Sequence, residues 1–246
     1  MPKTNPVVTI TVLASALLFA GVALAQQSSL SAALVEDVNA VVDADTDRII
    51  TIFKDLHQNP ELGFMEVRTA GIVAKELESL GYKVTTGIGK TGVAAVMQNG
   101  EGPVVMYRAD MDANAAEETT GLPWASTKRV ENAIGYEVPV AHLCGHDAHT
   151  TWLLALANVM VKMKQHWSGT LVLVVQPAEE LIEGATAMVD DGLYSTHGIP
   201  KPDFLIGAHT IPVATGMVVS NPGVMMAGTE QLDVTIYGQS AHGSMP

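Results

Sequence analysis

The chain has 246 residues, 26 of them acidic and 13 basic, for a formal net charge of −13, with 8 histidines and a single cysteine. Hydrophobic content of 48% against 16% charged residues excludes a disordered or collagen-like chain, and the length suits one large domain, or one domain and part of a second. The acidic balance leaves no basic surface to neutralise phosphates, which argues against nucleic acid and against docking on anionic lipid, and one Cys excludes an intramolecular disulfide framework.

Residues 1–25 read as a secretory leader: Lys3 supplies the positive start, Val7 to Val22 an apolar run, and Ala23-Leu24-Ala25 a cleavage site. The run is short for a membrane anchor. The sequence therefore predicts export, most simply to a bacterial periplasm, and no membrane association after cleavage. In an oxidising compartment an unpaired Cys is a liability unless it is buried or holds a metal, so Cys144 needs a role.

Ser31 to Gln58 predicts a long amphipathic helix, with Leu34, Val38, Val41, Val42, Ile49, Ile52, Phe53 and Leu56 at helical spacing and Asn59-Pro60 ending it. Glu66 to Leu80 predicts a second helix closed by Gly81. Lys83–Thr86 and Val93–Met97 predict strands around a Gly-rich turn, Asn99 to Gly102 a hairpin-type turn, and Val104–Tyr107 a buried strand. Thr150 to Lys164 predicts an apolar helix, and Leu171 to Val175 a strand buried on both faces. Ala185 to Asp190 predicts a short helix, and Phe204 to Gly207 another buried strand. Strands alternating with helices imply an α/β domain with a mixed, largely parallel sheet flanked by helices, over residues 26–227. Beyond Pro222 the texture changes. Gln231 to Tyr237 alternates as a strand should, and the sequence is expected to break off inside a small second domain that begins near residue 228.

Gly87-Ile-Gly-Lys-Thr-Gly92 matches the dinucleotide-binding pattern, but it opens a strand and not a helix; a bare turn between strands is the better reading. No G-x-S-x-G elbow is present, which disfavours a serine hydrolase. Four segments carry chemistry: Arg108 to Asp112, His142 to His149, Gln176 to Glu180 and Gly207 to Thr210. Each lies where a strand ends or a helix begins, as functional groups do in open α/β sheets. His142 to His149 holds three His, one Cys and one Asp, a thiolate and imidazole donor set suited to Zn and similar divalent metals, with Gly145 letting the backbone turn between Cys144 and His146. Glu179 and Glu180 point in different directions at a strand end, so one carboxylate can ligate a metal while the other faces water. Asp110 or Asp112 could orient a ligating His.

Several motifs in series resemble one known family. Asn59-Pro-Glu-Leu-Gly-Phe64, Arg108 to Ala113, Glu118 to Trp124, His142 to Asp147, Gln176 to Glu180, Glu183 to Met188, Asp191 to Leu193 and His242 to Pro246 stand in the order of the M20-type metallopeptidases. Within that family they are similar to the amidohydrolases that cleave N-acyl amino acids, hippurate and auxin conjugates among them. The resemblance covers residues 48–246. It implies two divalent ions (Zn, Mn, Co or Ni), with Cys144 bridging them, His146 and His209 completing one site, and Glu180 serving the other, whose last His lies downstream. It further implies Glu179 as general base, Asp110 as a supporting carboxylate, His242 as a substrate-binding residue of a small α+β lid, and a homodimer in which that His reaches the partner's site. The sequence departs from the family at Ala113-Asn-Ala-Ala116, at Leu181-Ile182 where glycines are common, at Thr210-Ile211, and in stopping at Pro246. Two expectations follow: an amide-bond hydrolase of N-acyl amino acids or small peptides, or a catalytically impaired metal-binding fragment lacking the distal His.

Overall fold

The computed structural model describes residues 6–229, 232 and 234–245, with side chains from Ala32 onward. The chain divides into two compact units, residues 1–210 and 211–246. The side chains of the leader, and residues 1–5 altogether, lie outside the described residues.

In the first unit, helix α1 (Pro6–Gln58) ends where Asn59 turns its amide back to the Asp55 carbonyl at 2.8 Å and Pro60 offers no N–H to continue. Helix α2 (Val67–Ser79) closes at Gly81, whose φ of +85° is the left-handed exit that glycine adopts without cost. Strands β1 (Lys83–Ile88) and β2 (Gly92–Asn99) form an antiparallel hairpin. The glycine pattern of residues 87–92 is its turn, with no phosphate-binding helix behind it. Strand β3 (Val104–Asp110) follows, then a small hairpin of β4 (Arg129–Glu131) and β5 (Glu137–Pro139) that the periodicity did not announce. Helix α3 (His146–Lys162), strand β6 (Gly169–Gln176), helix α4 (Gly184–Asp190) and strand β7 (Phe204–Gly207) complete the unit.

The main sheet has the order β1-β2-β6-β3-β7, with β6, β3 and β7 parallel and β1-β2 antiparallel to them, a mixed sheet as expected. One face packs on α1, α2 and α3 through Val73, Leu77, Leu153, Leu154 and Leu173; the other packs on α4 and the segment after it through Met188, Leu193 and Ile199. Two expectations are corrected. Asn99 to Gly102 is not a hairpin turn, because β6 inserts between β2 and β3: Leu171–Val175, apolar on both faces, takes the central position that buries both. Phe204–Gly207 is not a buried strand but an edge paired only to β3 among the described residues, with Phe204, Leu205 and Ile206 more than half exposed.

The second unit contains no helix or strand among its described residues beyond a bridge between His242 and Met245. Of the strand expected over 231–237, residues 231 and 233 lie outside the described residues, and the others take no part in a ladder. Alternation alone cannot hold a strand without a partner.

Candidate metal centre

Parallel strands bring their C-terminal ends to one side of a sheet, and three of the four chemistry-bearing segments leave from there. Asp110 ends β3 and Asp112 follows it, Glu179 and Glu180 follow β6, and His209 follows β7. The fourth, Cys144-Gly145-His146, opens α3 against the same edge. Gly145 has φ +81°, and a Cβ there would stand 2.5 Å from the Thr210 hydroxyl, so only glycine permits this turn.

Potential ligand atoms of Cys144, His146 and His209 lie within 4.8 Å of one another, as do those of His146, Glu179 and Glu180 and those of Asp110, His146 and His149. His146 belongs to all three groups. Its Nδ1 faces the Asp112 backbone carbonyl at 2.8 Å and the Asp112 carboxylate at 3.2 Å, which directs Nε2 into the cluster. That Nε2 is fully buried and has no hydrogen-bond partner; it sits 3.7 Å from Glu179 Oε2 and 3.8 Å from both Glu180 Oε1 and Asp110 Oδ1. A buried ring nitrogen aimed at three carboxylates and left unpaired is the arrangement a cation completes. Cys144 Sγ lies 3.4 Å from His209 Nε2, adding a sulfur and a second imidazole to the cluster.

The electrostatics point the same way. Burial opposes charge on His146, but the Asp112 hydrogen bond and the charges of Asp110, Asp112 and Glu180 outweigh it and push its pKa up to about 9. Burial, then the nearby carboxylates of Glu180, Glu179 and Asp110, push the Cys144 thiol up to about 12. The protein alone therefore makes a strongly negative field that holds protons on its own donors. A divalent cation reverses this by displacing them. Donor chemistry, the orphaned nitrogen and the field all fit a metal.

Asp110 is reached differently from Asp112. Burial raises its pKa, but the His149 hydrogen bond at 2.6 Å and the charges of His146 and Arg108 hold it down at about 2. His149 Nε2 in turn accepts the Thr210 backbone N–H at 2.9 Å, so Nδ1 carries the proton and donates to Asp110. Asp110 thus steadies the His209–Thr210 turn through His149, while Asp112 supports His146 directly and also accepts the Glu180 backbone N–H at 2.9 Å. Thr210 donates its hydroxyl to the Cys144 carbonyl at 2.9 Å. His142, third histidine of the motif, is buried outside these donor groups, and burial takes its pKa down to about 4. His242 belongs to the second unit, where its Nδ1 lies 2.8 Å from the Ser244 hydroxyl.

Two supporting residues escaped the sequence reading. Glu66 is completely buried; its carboxylate accepts Thr91 Oγ1 at 2.6 Å and the Ala178 N–H at 2.8 Å, fixing the residue before Glu179 in a left-handed conformation at φ +46°. The available signal was its spacing with Ala70, Val73 and Leu77 on the buried face of α2. His57 Nδ1 meets Asp147 Oδ2 at 2.6 Å and its Nε2 meets Glu118 Oε1 at 3.2 Å, locking α1 to the first turn of α3.

Fold and site together define an α/β protein with a candidate metal centre where its parallel strands end. The sequence pattern of peptidase family M20/M25/M40 matches residues 106–242, and the chain belongs to that family. It is 41% identical over 193 residues to the hippurate hydrolase of Campylobacter jejuni, covering 78% of this chain and 47% of that protein. It is 37% identical over 201 residues to the N-acetyl-L-cysteine deacetylase of Bacillus subtilis, covering 81% and 45%. Among solved structures it is similar to the YXEP protein of Bacillus subtilis, described as a dinuclear metal-binding peptidase of the M20 family, with a TM-score of 0.59, 32% identity, and coverage of 69% of this chain and 44% of that one. The chain thus spans about half the length of the relatives it matches.

Proposed function

We propose that the chain provides most of the catalytic centre of a metal-dependent hydrolase that cleaves the amide bond of N-acyl amino acids or small peptides. The observation that carries this is the unpaired, buried Nε2 of His146, which falls in one donor group with Glu179 and Glu180 and in another with Cys144 and His209. In this reading Cys144, His146 and His209 would hold one ion, and Glu180 would contribute to a second. A divalent ion bound there supplies Lewis-acid polarisation of the scissile carbonyl and acidifies a water. Glu179, 37% exposed at its side chain and so open to substrate, takes the proton shed by the attacking water and returns it to the leaving nitrogen. Asp112 keeps the His146 ring and the Glu180 backbone in place; Asp110 does so for the His209 turn by way of His149.

The names of the relatives, hippurate hydrolase and N-acetyl-L-cysteine deacetylase, support small N-acylated substrates. Zn, Mn, Co and Ni all suit the donor set. We further propose that residues 1–25 direct export to a periplasm, that His242 binds substrate, and that the complete protein is a homodimer. A second reading is favoured by one observation: among the described residues the Glu180 side of the cluster has no histidine of its own besides His146. On that reading the chain holds a single metal and is catalytically impaired.

Metal content of the purified, folded chain tests both. About two ions per chain support the hydrolase reading, and about one supports the impaired form. None, in a folded chain, rejects the site. Cys144→Ser is expected to lose metal, whereas Glu179→Gln is expected to keep it and lose turnover; equal metal loss in Glu179→Gln and Glu180→Gln would refute the division of labour.

A further inference from the structure

We propose that Thr210 is a positioning residue, whose hydroxyl presets Cys144 and His209 at the spacing a divalent ion needs. The inference deepens the metal-dependent hydrolase reading and rests on its metal centre.

The donors of the cluster are held unequally. His146 is fully buried, and Asp112 fixes its ring through both a carbonyl and a carboxylate. Glu180 has its backbone N–H tied to the same Asp112. His209, by contrast, is exposed and leaves an edge strand, and Cys144 is only partly buried. Among the described residues the His209 ring is bonded only to the Thr210 carbonyl and to Cys144.

Thr210 supplies what this pair lacks. Its hydroxyl donates to the Cys144 carbonyl at 2.9 Å. Its carbonyl accepts His209 Nδ1–H at 2.6 Å, which leaves Nε2 with the free lone pair. Its N–H donates to His149 Nε2 at 2.9 Å, and His149 is anchored on Asp110 at the end of β3. Its side chain also fills the space beside Gly145, where a Cβ would stand 3.0 Å from Thr210 Cγ2. The two main-chain bonds survive replacement of the side chain, so the hydroxyl can be removed by itself. Among the described residues it makes the only hydrogen bond between residues 142–146 and 207–210, apart from the Cys144–His209 contact.

The consequence is visible in the donor spacing. Cys144 Sγ and His209 Nε2 stand 3.4 Å apart. A tetrahedral zinc, with bonds of about 2.3 Å to sulfur and about 2.0–2.1 Å to nitrogen, spans two such donors at about 3.5 Å. Donors preset in this way bind more tightly, because their ordering is completed on folding and not at the expense of binding.

The test is zinc affinity of the full chain by chelator competition, for the unaltered protein and for Thr210→Val, Thr210→Ala and Thr210→Ser. A methyl group cannot sit where the hydroxyl does, since even close C–H···O contacts lie at about 3.3–3.6 Å. Valine therefore loses the bond and also pushes the Cys144 carbonyl away, whereas alanine only loses the bond and decides the matter if valine disturbs folding. Zinc affinity is expected to fall about 10–100-fold in both, and to stay within about threefold in the serine variant, which keeps the hydroxyl. With cobalt in place of zinc, the thiolate-to-metal charge-transfer absorption reports the bond from Cys144. At saturating cobalt it is expected to weaken in the valine and alanine variants and to return with serine. A purely structural role would lower the melting temperature of the metal-free chain and leave that absorption unmoved. The proposal is overturned, with the metal centre left standing, by zinc affinity within about twofold of the unaltered chain in the alanine variant. An identical cobalt spectrum in all four proteins, or a serine variant as weak as alanine, overturns it equally. A folded, unaltered chain that binds neither zinc nor cobalt rejects the metal-centre reading and the proposal with it.

Discussion

His146 and Asp147 are neighbours in sequence, yet they enter two acid-and-histidine clusters of opposite character. On the Asp147 side, His57 lies between the carboxylates of Asp147 and Glu118, and each ring nitrogen has a partner. The Asp147 hydrogen bond, helped by Glu118 and opposed by burial, pushes the His57 pKa up to about 9, so the imidazolium is the cation of that cluster. On the His146 side the acids outnumber what the protein pairs with them, and one buried nitrogen is left over. The difference is instructive: a polar cluster finished by the protein ties elements together, whereas one left unfinished is a place for a ligand.

Breaking the finished cluster is expected to have the largest effect on stability. His57→Gln leaves two carboxylates without their cation, at a cost of about 3 kcal/mol at neutral pH, with metal content unchanged. The pH dependence has a definite sign. The His57 pKa is raised on folding, so its contribution is complete below about 6.5 and fades as pH rises through about 9. Urea unfolding of the two proteins between pH 6 and 10 should therefore show the gap narrowing across that window; a constant gap would mean the histidine is not charged in the fold.

The unfinished cluster should respond the other way, in metal affinity more than in stability. Asp112→Ala removes the carboxylate that steadies both His146 and the Glu180 backbone, and a 10–100-fold loss in zinc affinity is expected, measured by chelator competition. A drop in stability with zinc affinity intact would place Asp112 with the structural ion pairs instead.

The smallest expected effect sharpens the contrast at the loop after Glu180. Ile182 has φ +58°, a left-handed conformation that a β-branched residue adopts only under strain. Ile182→Gly should relieve it and stabilise the chain by about 1 kcal/mol after the entropy cost of glycine, seen as a rise in Tm. An unchanged or lower Tm would show that the neighbouring contacts of Ile182 outweigh the backbone term.

By itself the sequence determined the order and type of most elements, because hydrophobic period and the Gly and Pro signals are local. The end of α1 at Gln58, the exit of α2 at Gly81 and the buried run of β6 are all read that way. It also marked out a candidate donor set: a lone Cys beside histidines and a pair of glutamates after a strand point to metal chemistry before any fold is known. What only the tertiary structure decided is who meets whom across the chain. Alternation could not tell that β6 would enter between β2 and β3, or that β7 would be left as an edge. Asp110 and Asp112 were indistinguishable along the strand, and they part company only where α3 and the His209 turn pack on it. Glu66 and His57 looked like ordinary helix-end residues because their partners, Ala178 and Asp147, lie 112 and 90 residues away. Burial and long-range pairing are properties of packing, and no local pattern encodes them.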